Sequence, residues 1–318
     1  MSKSLDKTSE NEQDDPTCES HEEALSKMAN EKFNSELDAL LKLRASFVYI
    51  TTNEEARLHD YFKHFSMAKG RNTFTWDCHY GFRELLTGER DITLAPDACD
   101  VDVALEAIIA KAEQDVTAHR RVESGNQGNV FILYDFHRYL FEMEKITERL
   151  IRRFAATECA STIVLVAPHF ESTPAVENLF HVLDFPYPNN EEIKMCVFEV
   201  IRAAENKGLR NVKDEFEQKE DEFLQAASGL TLKEVQDAFA KSVVINRGLD
   251  IKTITEAKRQ IIARKEILEY CDPKVTMDDV GGLENLVKWF GRRKLAFSSK
   301  AKDYGLITPP TGVLLIGM

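Results

Sequence analysis

The sequence has few of the features that mark a secreted, metal-binding or membrane-spanning protein. Its six cysteines lie at positions 18, 78, 99, 159, 196 and 271, and no two are close enough for a CxxC pair. A zinc site or a disulfide scaffold is therefore not expected, and a reducing compartment fits the cysteine usage better. No apolar run approaches the ~18 residues that a membrane-spanning helix needs. The acidic N-terminus resembles neither a signal peptide nor a transit peptide, so we expect a cytosol-like location and no membrane association.

An excess of positive charge is also missing. The formal net charge is −13 over 318 residues, which disfavours nucleic acid as a partner. The charge is uneven, because residues 1–30 carry eight acids against three bases, whereas residues 285–302 carry bases and no acid. These bases are Lys288, Arg292, Arg293, Lys294, Lys300 and Lys302. A solvated helix face is one interpretation of this run, and a contact surface for the acids of the first module or for a separate partner is the other.

An alternation of strand-like and helix-like segments runs through the first two thirds of the chain. Short apolar runs predict five strands, at residues 47–50, 72–78, 130–134, 162–167 and 182–185. Apolar residues at helical spacing precede the first strand at 33–41 and separate later strands at 101–115 and 140–154. Strands that are apolar on both faces and separated by helices indicate an α/β fold with a parallel sheet covered on both sides.

The same patterns predict the domain organisation. Residues 1–32 are acidic and nearly free of large apolar groups, which predicts a disordered tail before an α/β core at 33–188. Residues 189–248 show helical patterns only and form a lid, with one helix covering roughly 211–227. Residues 249–274 read as a charged connector helix that Pro273 ends.

Two helices have recognisable starts. The segment Thr52-Asn53-Glu54-Glu55 has the pattern of a capping box and predicts a helix that runs through Phe65. The segment Thr231-Leu232-Lys233-Glu234 has the same pattern and predicts a helix within the lid.

The order of these elements resembles an AAA module, in which five parallel strands precede a helical lid. The segments 183–193 and 228–231 look like the core–lid junction and the lid turn of that family. Residues 278–283, Asp-Asp-Val-Gly-Gly-Leu, resemble the entry motif of a second AAA module, and residues 311–317 resemble the strand that leads into its phosphate-binding loop. The pattern over about 35–318 is similar to the divergent AAA ATPases named for hypothetical chloroplast reading frame forty-six, found in cyanobacteria and some plastids.

This resemblance implies a second module at 275–318 that would bind ATP and Mg²⁺ in a complete protein. The residues that would line its nucleotide site are Asp279, Val280, Gly281, Gly282 and Gly317. A plain turn before a helix is the alternative interpretation of Gly281-Gly282, and the Gly-Val-Leu-Leu-Ile-Gly strand downstream favours the nucleotide site. Everything that would follow Met318 is absent, including the phosphate-loop lysine.

The first module departs from the AAA pattern at three strand ends, and we expect no cofactor there. A phosphate loop needs glycines and a lysine, whereas residues 51–55 offer neither and carry two carboxylates. Phe136 stands where a second acid would follow Asp135, so Asp135 is expected to play a structural role such as capping the next helix. Pro168 stands where a polar sensor residue would be expected.

Other candidate sites are weaker. The histidines are scattered, and no motif fixes Cys159 and His169 as a nucleophile and base. Arg152 and Arg153 end a predicted helix and suit its negative pole, with an arginine-finger role as the alternative.

The leading hypothesis is therefore the N-terminal part of an AAA ATPase that couples ATP hydrolysis to protein remodelling as a homo-oligomer. Its first module would be degenerate, and its location would be cytoplasmic, or the stroma if the protein is plastid-encoded. The competing hypothesis is a non-enzymatic adaptor with an inactive AAA fold.

Overall fold

The computed structural model describes residues 24–25, 28–90, 94, 99–119, 128–141, 145–209, 211–264, 281–294, 296 and 301. The chain divides into two compact units between Glu192 and Ile193. The strands are β1 (Phe47–Thr51), β2 (Thr73–Asp77), β3 (Gly81–Glu84), β4 (Val130–Tyr134), β5 (Thr162–Ala167) and β6 (Phe180–Asp184).

Helices of both units account for most of the remaining described residues. In the first unit they are α1 (Glu31–Lys42), α2 (Glu55–Lys69), α3 (Val101–His119), α4 (His137–Phe141) and α5 (Lys145–Ala156). From the end of the first unit onward they are α6 (Asn190–Asn206), α7 (Val212–Gln218), α8 (Glu220–Ala227), α9 (Leu232–Asn246), α10 (Ile251–Arg264) and α11 (Glu284–Lys294).

The sheet of the first unit has the order β3-β2-β4-β5-β1-β6. Its five strands β2, β4, β5, β1 and β6 are parallel, which confirms the predicted α/β fold. The sixth strand, β3, was not predicted and pairs antiparallel with β2. The turn between them is held by Asp77, whose Oδ1 accepts hydrogen bonds from the main-chain N–H groups of His79 and Tyr80 at 2.9 and 2.7 Å.

Both faces of the sheet are buried. Residues that alternate along each strand pack on opposite sides, so Phe47 and Tyr49 of β1 contact one cluster while Val48 and Ile50 contact the other. Helices α3 and α5 cover the first face, and α1 and α2 cover the second. The near-continuous apolar strands of the sequence are thus explained by burial on two sides.

Ordered packing begins earlier in the chain than Phe33. Leu25 and Ala29 are buried against the cluster formed by α1 and α2. Asn30 caps α1, because its side-chain oxygen accepts a hydrogen bond from the Phe33 N–H at 2.8 Å. The prediction of a disordered tail through residue 32 is therefore wrong for residues 25 and 28–32. A few apolar residues are enough to order a segment when they pack against a core that the rest of the chain forms. The rest of that predicted tail, except for the described residue 24, lies outside the described residues.

The second unit has its own apolar core, built from α6 to α10. Its predicted capping box is confirmed, since Thr231 accepts from the Glu234 N–H and the Glu234 carboxylate accepts from the Thr231 N–H. The single helix predicted over 211–227 is two helices, because Lys219 between α7 and α8 leaves the helical conformation, with a φ of −132°. The connector prediction corresponds to α10 as far as Arg264, and residues 265–274 lie outside the described residues.

No helix within the described ranges is long and apolar enough to cross a membrane.

Gly128 should be difficult to replace with any residue that has a side chain. It has a φ of 73°, and a Cβ added there would lie 2.0 Å from the carbonyl oxygen of Ala160. We expect Gly128→Ala to lower the free energy of unfolding by about 2–5 kcal/mol, because a left-handed residue with a Cβ and a backbone clash both disfavour the native state. Urea unfolding followed by the fluorescence of buried Trp76, in a Trp289→Phe background, measures the change.

Gly70→Ala is the matched control for this variant. Gly70 has a similar φ of 62° but nothing within 4 Å of an added Cβ. Gly70→Ala should lower the free energy of unfolding by about 1–2 kcal/mol, which is the cost of the left-handed backbone alone. Equal losses in the two variants would contradict a role for the Ala160 contact.

Candidate functional site

The carboxyl edge of the parallel sheet is the place where an open α/β fold holds a ligand. Ligands of such folds lie beyond the strand ends where successive connections leave in opposite directions. Here that point is between β1 and β5, since the chain leaves β1 for β2 on one side and passes from β5 to β6 across β1. The residues after β1, β4 and β5 therefore form the candidate site.

The connection from β1 to α2 consists of only Thr52, Asn53 and Glu54. The Thr52 N–H donates to the Ala167 carbonyl of β5 at 2.8 Å, so it continues the sheet instead of facing a ligand. The Thr52 hydroxyl accepts from the Glu54 N–H at 2.9 Å. The predicted capping box at Thr52 is therefore wrong: Glu54 is the N-cap and makes no side-chain cap hydrogen bond. A tight turn has taken the place of the cap.

A buried arginine lies directly behind this connection. The side chain of Arg57, in the first turn of α2, is only 5% exposed. Its Nε and Nη2 donate to the two carboxylate oxygens of Glu192 at 2.7 and 2.9 Å. Its guanidinium carbon lies 4.6 Å from the centre of the Phe185 ring. This is a bidentate ion pair stacked on an aromatic face, the geometry that a guanidinium favours most.

The remaining donors of Arg57 are also used. Nη1 donates to Oε2 of Glu54 at 3.1 Å and to the Pro186 carbonyl at 2.6 Å. Nη2 also donates to the Met28 carbonyl at 2.6 Å. All five N–H groups of the guanidinium therefore have partners. They join the segment before α1, the first turn of α2, and the linker and first turn after β6.

Acidic side chains surround the outer side of the connection. The pKa of Glu55 is raised by its burial first, and then by the negative charges of Asp135 and Asp77. Asp135 follows β4 with a left-handed φ of 54°. The next residue, Phe136, is 1% exposed and packs against Trp76 with ring centres 6.3 Å apart. The position that the AAA resemblance reserves for a second acid thus belongs to the core. The structural role of Asp135 stays a prediction.

The end of β5 contributes no sensor-like side chain in the described structure. Pro168 is exposed, and His169 pairs with Glu171 through Nε2 and Oε1 at 2.9 Å. The Tyr49 hydroxyl donates to the His169 carbonyl at 2.8 Å, and the rings of His169 and His137 lie 5.5 Å apart. Among the described residues, no group of three or more His, Cys, Asp or Glu side chains could hold a metal ion.

A Cys159–His169 catalytic pair is excluded by geometry. Cys159 precedes β5 and His169 follows it, so a six-residue strand of about 3.3 Å per residue separates them. Cys159 is buried and its thiol donates to the Ser161 carbonyl at 3.6 Å.

The arginine-finger candidates are engaged within the first unit. Arg152 pairs with Glu148 at 3.0 Å, and Arg153 pairs with Glu113 at 2.7 Å. Both are surface ion pairs on the face formed by α3 and α5, and an arginine-finger role toward another subunit stays a prediction.

The predicted second-module site is described only in part. Gly281 and Gly282 are exposed and precede α11, with Gly282 at a φ of 75° and Leu283 at 57°. Asp279, Val280 and Gly317 lie outside the described residues. In the basic run, Lys288, Arg292 and Arg293 are exposed on α11, as a solvated helix face requires.

Comparison with known proteins places this geometry in a family. Residues 33–185 match the family model of the SpoVK-like AAA ATPase N-terminal domain, and residues 191–265 match that of the SpoVK-like AAA ATPase second domain. The chain belongs to the AAA ATPase family. The resemblance drawn from the sequence is thereby confirmed, and the family in general uses a nucleotide and Mg²⁺.

The AAA relatives include plastid proteins of the reading-frame group. The uncharacterized AAA domain-containing protein ycf46 of Trieres chinensis is 30% identical over 293 residues, which are 90% of this chain and 54% of that protein. The ycf46 protein of Guillardia theta is 27% identical over 294 residues, 90% of this chain and 52% of that protein. The chain thus spans about half the length of the curated relatives it matches.

Two solved AAA structures are also similar. The AAA domain of FIGL-1 in complex with ADP is 11% identical, with 88% of each chain covered and a TM-score of 0.39. PCH-2 of C. elegans is 12% identical, with 77% of this chain and 70% of that chain covered and a TM-score of 0.42.

The residues of the first unit do not fit the nucleotide that the AAA family generally uses. A phosphate-binding loop presents several main-chain N–H groups and a lysine to the phosphates. The three-residue connection is too short for such a loop, and its first N–H is used by β5. Glu54 and Glu55 would repel phosphate at this helix N-terminus.

Sequence reasoning missed the arginine at the centre of this site. The signal was Glu54 three residues before Arg57, a spacing that brings two charges together on a helix. The second partner, Glu192, is 135 residues away along the chain, and no local pattern links it to Arg57.

Loss of the Arg57 guanidinium should destabilise the first unit strongly. We expect Arg57→Met to lower the free energy of unfolding by about 3–5 kcal/mol, because it leaves two carboxylates and two carbonyls buried without their donor. Chemical unfolding monitored through Trp76 checks this. Arg153→Met is the control: its exposed pair with Glu113 should contribute at most about 1 kcal/mol. A loss as small in Arg57→Met as in the control would contradict the role of the buried network.

Glu55 should make stability fall as pH rises. Its native pKa is raised above 4.5, so the native state holds the proton more tightly than the unfolded state does. Its contribution to stability is complete at low pH and is lost as pH rises through the two pKa values. Glu55→Gln should therefore raise the free energy of unfolding at pH 7, by less than about 1 kcal/mol at this partly exposed position, and have little effect below pH 4.

The same substitution in an Asp135→Asn background is the control. Because Asp135 is one cause of the raised pKa, the gain from Glu55→Gln at pH 7 should be smaller there. An equal gain in stability in both backgrounds, or a gain at low pH only, would contradict the conclusion that Asp135 raises the pKa of Glu55.

Proposed function

We propose that the first unit is an AAA module that does not bind nucleotide and that serves as a platform for assembly or partner binding. The single observation that carries this proposal is the three-residue connection after β1, with the buried Arg57 network behind it. The space and donors of a phosphate loop are missing there. The charge of the guanidinium is neutralised by the chain's own carboxylates, so the unit is complete without a ligand.

In the longer protein, a second module beginning near residue 275 would bind ATP and Mg²⁺. Its nucleotide site would include Asp279, Val280, Gly281, Gly282 and Gly317. The left-handed φ of Gly282 supports a backbone that approaches a ligand closely, because a side chain is strained in that conformation. The family membership supports ATP hydrolysis coupled to remodelling of a protein client by a homo-oligomer.

Calorimetry with Mg-ATP tests both parts of the proposal. Titrated into the 318-residue chain, Mg-ATP should give only heats of dilution. Titrated into a chain extended through the following AAA core, it should bind in the micromolar range, about −8 kcal/mol at 1 μM. Micromolar binding by the 318-residue chain would contradict the proposal, and a stop codon after Met318 would favour the non-enzymatic adaptor.

A variant pair tests the second-module site in the extended chain. Gly282→Val should weaken Mg-ATP binding at least about tenfold, since the left-handed backbone is disfavoured for a β-branched residue. Gly291→Ala is the control, because an added Cβ at this helical glycine of α11 meets nothing within 4 Å. Equal affinities of the two variants would remove Gly282 from the proposed site.

A further inference from the structure

Two exposed cysteines, Cys78 and Cys99, converge on the β2–β3 hairpin of the first unit. Cys78 follows β2 directly and forms part of the hairpin turn. The thiol of Cys99, which lies just before α3, is 3.6 Å from the main-chain carbonyl oxygen of His79. His79 is the residue next to Cys78, so the Cys99 sulfur lies against the backbone of the turn that carries the other thiol.

Tyr139 of α4 lies within electrostatic range of the hairpin turn. Its pKa is raised by burial first, then by Cys78, and further by the charge of Asp100, the residue that follows Cys99. The same hydroxyl is therefore within electrostatic range of Cys78 and of Asp100, the neighbour of Cys99.

The other described cysteines lack this combination of exposure and proximity. Cys159 is buried, and its thiol donates to the Ser161 carbonyl. Cys196 belongs to the second unit, is half-buried, and donates to the Leu232 carbonyl at 3.6 Å. Burial raises the pKa of the Cys196 thiol, which lowers its thiolate fraction and hence its reactivity.

We propose that Cys78 and Cys99 are a redox-active pair that forms an intramolecular disulfide between the hairpin turn and the start of α3. A low-molecular-weight disulfide such as oxidised glutathione is the oxidant. The thiolate of one cysteine attacks a sulfur of oxidised glutathione, which forms a mixed disulfide and releases one glutathione thiolate. The thiolate of the second cysteine then attacks the protein sulfur of that mixed disulfide and releases the second glutathione.

The two thiol protons end on the two glutathione molecules. Two protein thiols are oxidised and one glutathione disulfide is reduced, so atoms and electrons balance. The bond closes the chain between residues 78 and 99 and constrains the unfolded state, which should stabilise the first unit.

Thiol counting and peptide mapping test the pair. The chain is used as a Cys18→Ser/Cys271→Ser variant, because these two cysteines lie outside the described residues. After exposure to oxidised glutathione, it should lose two of its four remaining thiols and stay monomeric by non-reducing electrophoresis. Trypsin cleaves after Arg71, Arg83 and Arg90, so Cys78 and Cys99 fall on different peptides. Mass spectrometry should find these two peptides joined, with the link lost on reduction.

Single substitutions separate a true pair from two independent thiols. Cys78→Ser should leave Cys99 as a stable mixed disulfide with glutathione, and Cys99→Ser should do the same for Cys78. Cys196→Ser, the control in the second unit, should still form the Cys78–Cys99 link. The proposal is overturned if wild-type Cys78 and Cys99 carry glutathione only, stay reduced while the added glutathione disulfide modifies an exposed reference thiol, or link between two copies of the chain.

Discussion

One buried guanidinium holds together the segments that meet at the carboxyl edge of the sheet. Arg57 uses its five N–H groups on Glu54, Pro186, Met28 and both oxygens of Glu192. A charge in this setting is tolerated only when every donor is satisfied, since removing a partner leaves an uncompensated ion in a low-dielectric interior. The network thus fixes the position of three chain segments that are far apart in the sequence. No apolar side chain could specify all three, because dispersion contacts lack direction.

The sheet of the first unit does not depend on a phosphate loop for its stability. The strands are stabilised by burial on both faces, which depends on alternating apolar residues and not on the loop after β1. Shortening that loop to three residues lowers the entropy cost of closing it. The carboxylate of Glu54 pairs with Arg57, and the Thr52 N–H extends the pairing with β5. Groups that could have faced a ligand are therefore used within the fold.

The periodic features of this molecule could be predicted from the sequence, whereas its long-range polar contacts could not. Burial on two faces leaves a continuous apolar run in each strand, so Val130–Leu133 and Ile163–Val166 were visible as strands. The capping box at Thr231 was visible because both of its hydrogen bonds lie within four residues. The apparent box at Thr52 failed because the Thr52 hydroxyl accepts from the Glu54 N–H and the helix begins only at Glu55. The ion pair of Arg57 with Glu192 was hidden because 135 positions separate the two residues. The convergence of Cys78 and Cys99 was hidden for the same reason.

The β2–β3 hairpin forms a surface at the edge of the sheet. Asp77 ends β2, and one of its carboxylate oxygens accepts hydrogen bonds from two main-chain N–H groups of the turn. The side chains of residues 78–80 are exposed. Tyr80 is half exposed, and the Arg83 guanidinium stacks on its ring at 4.3 Å. The Asp77 charge also raises the pKa of Glu55, so the hairpin and the connection after β1 interact electrostatically. Because a Coulomb interaction depends on distance, a displacement of the turn would change how strongly Asp77 raises the pKa of Glu55.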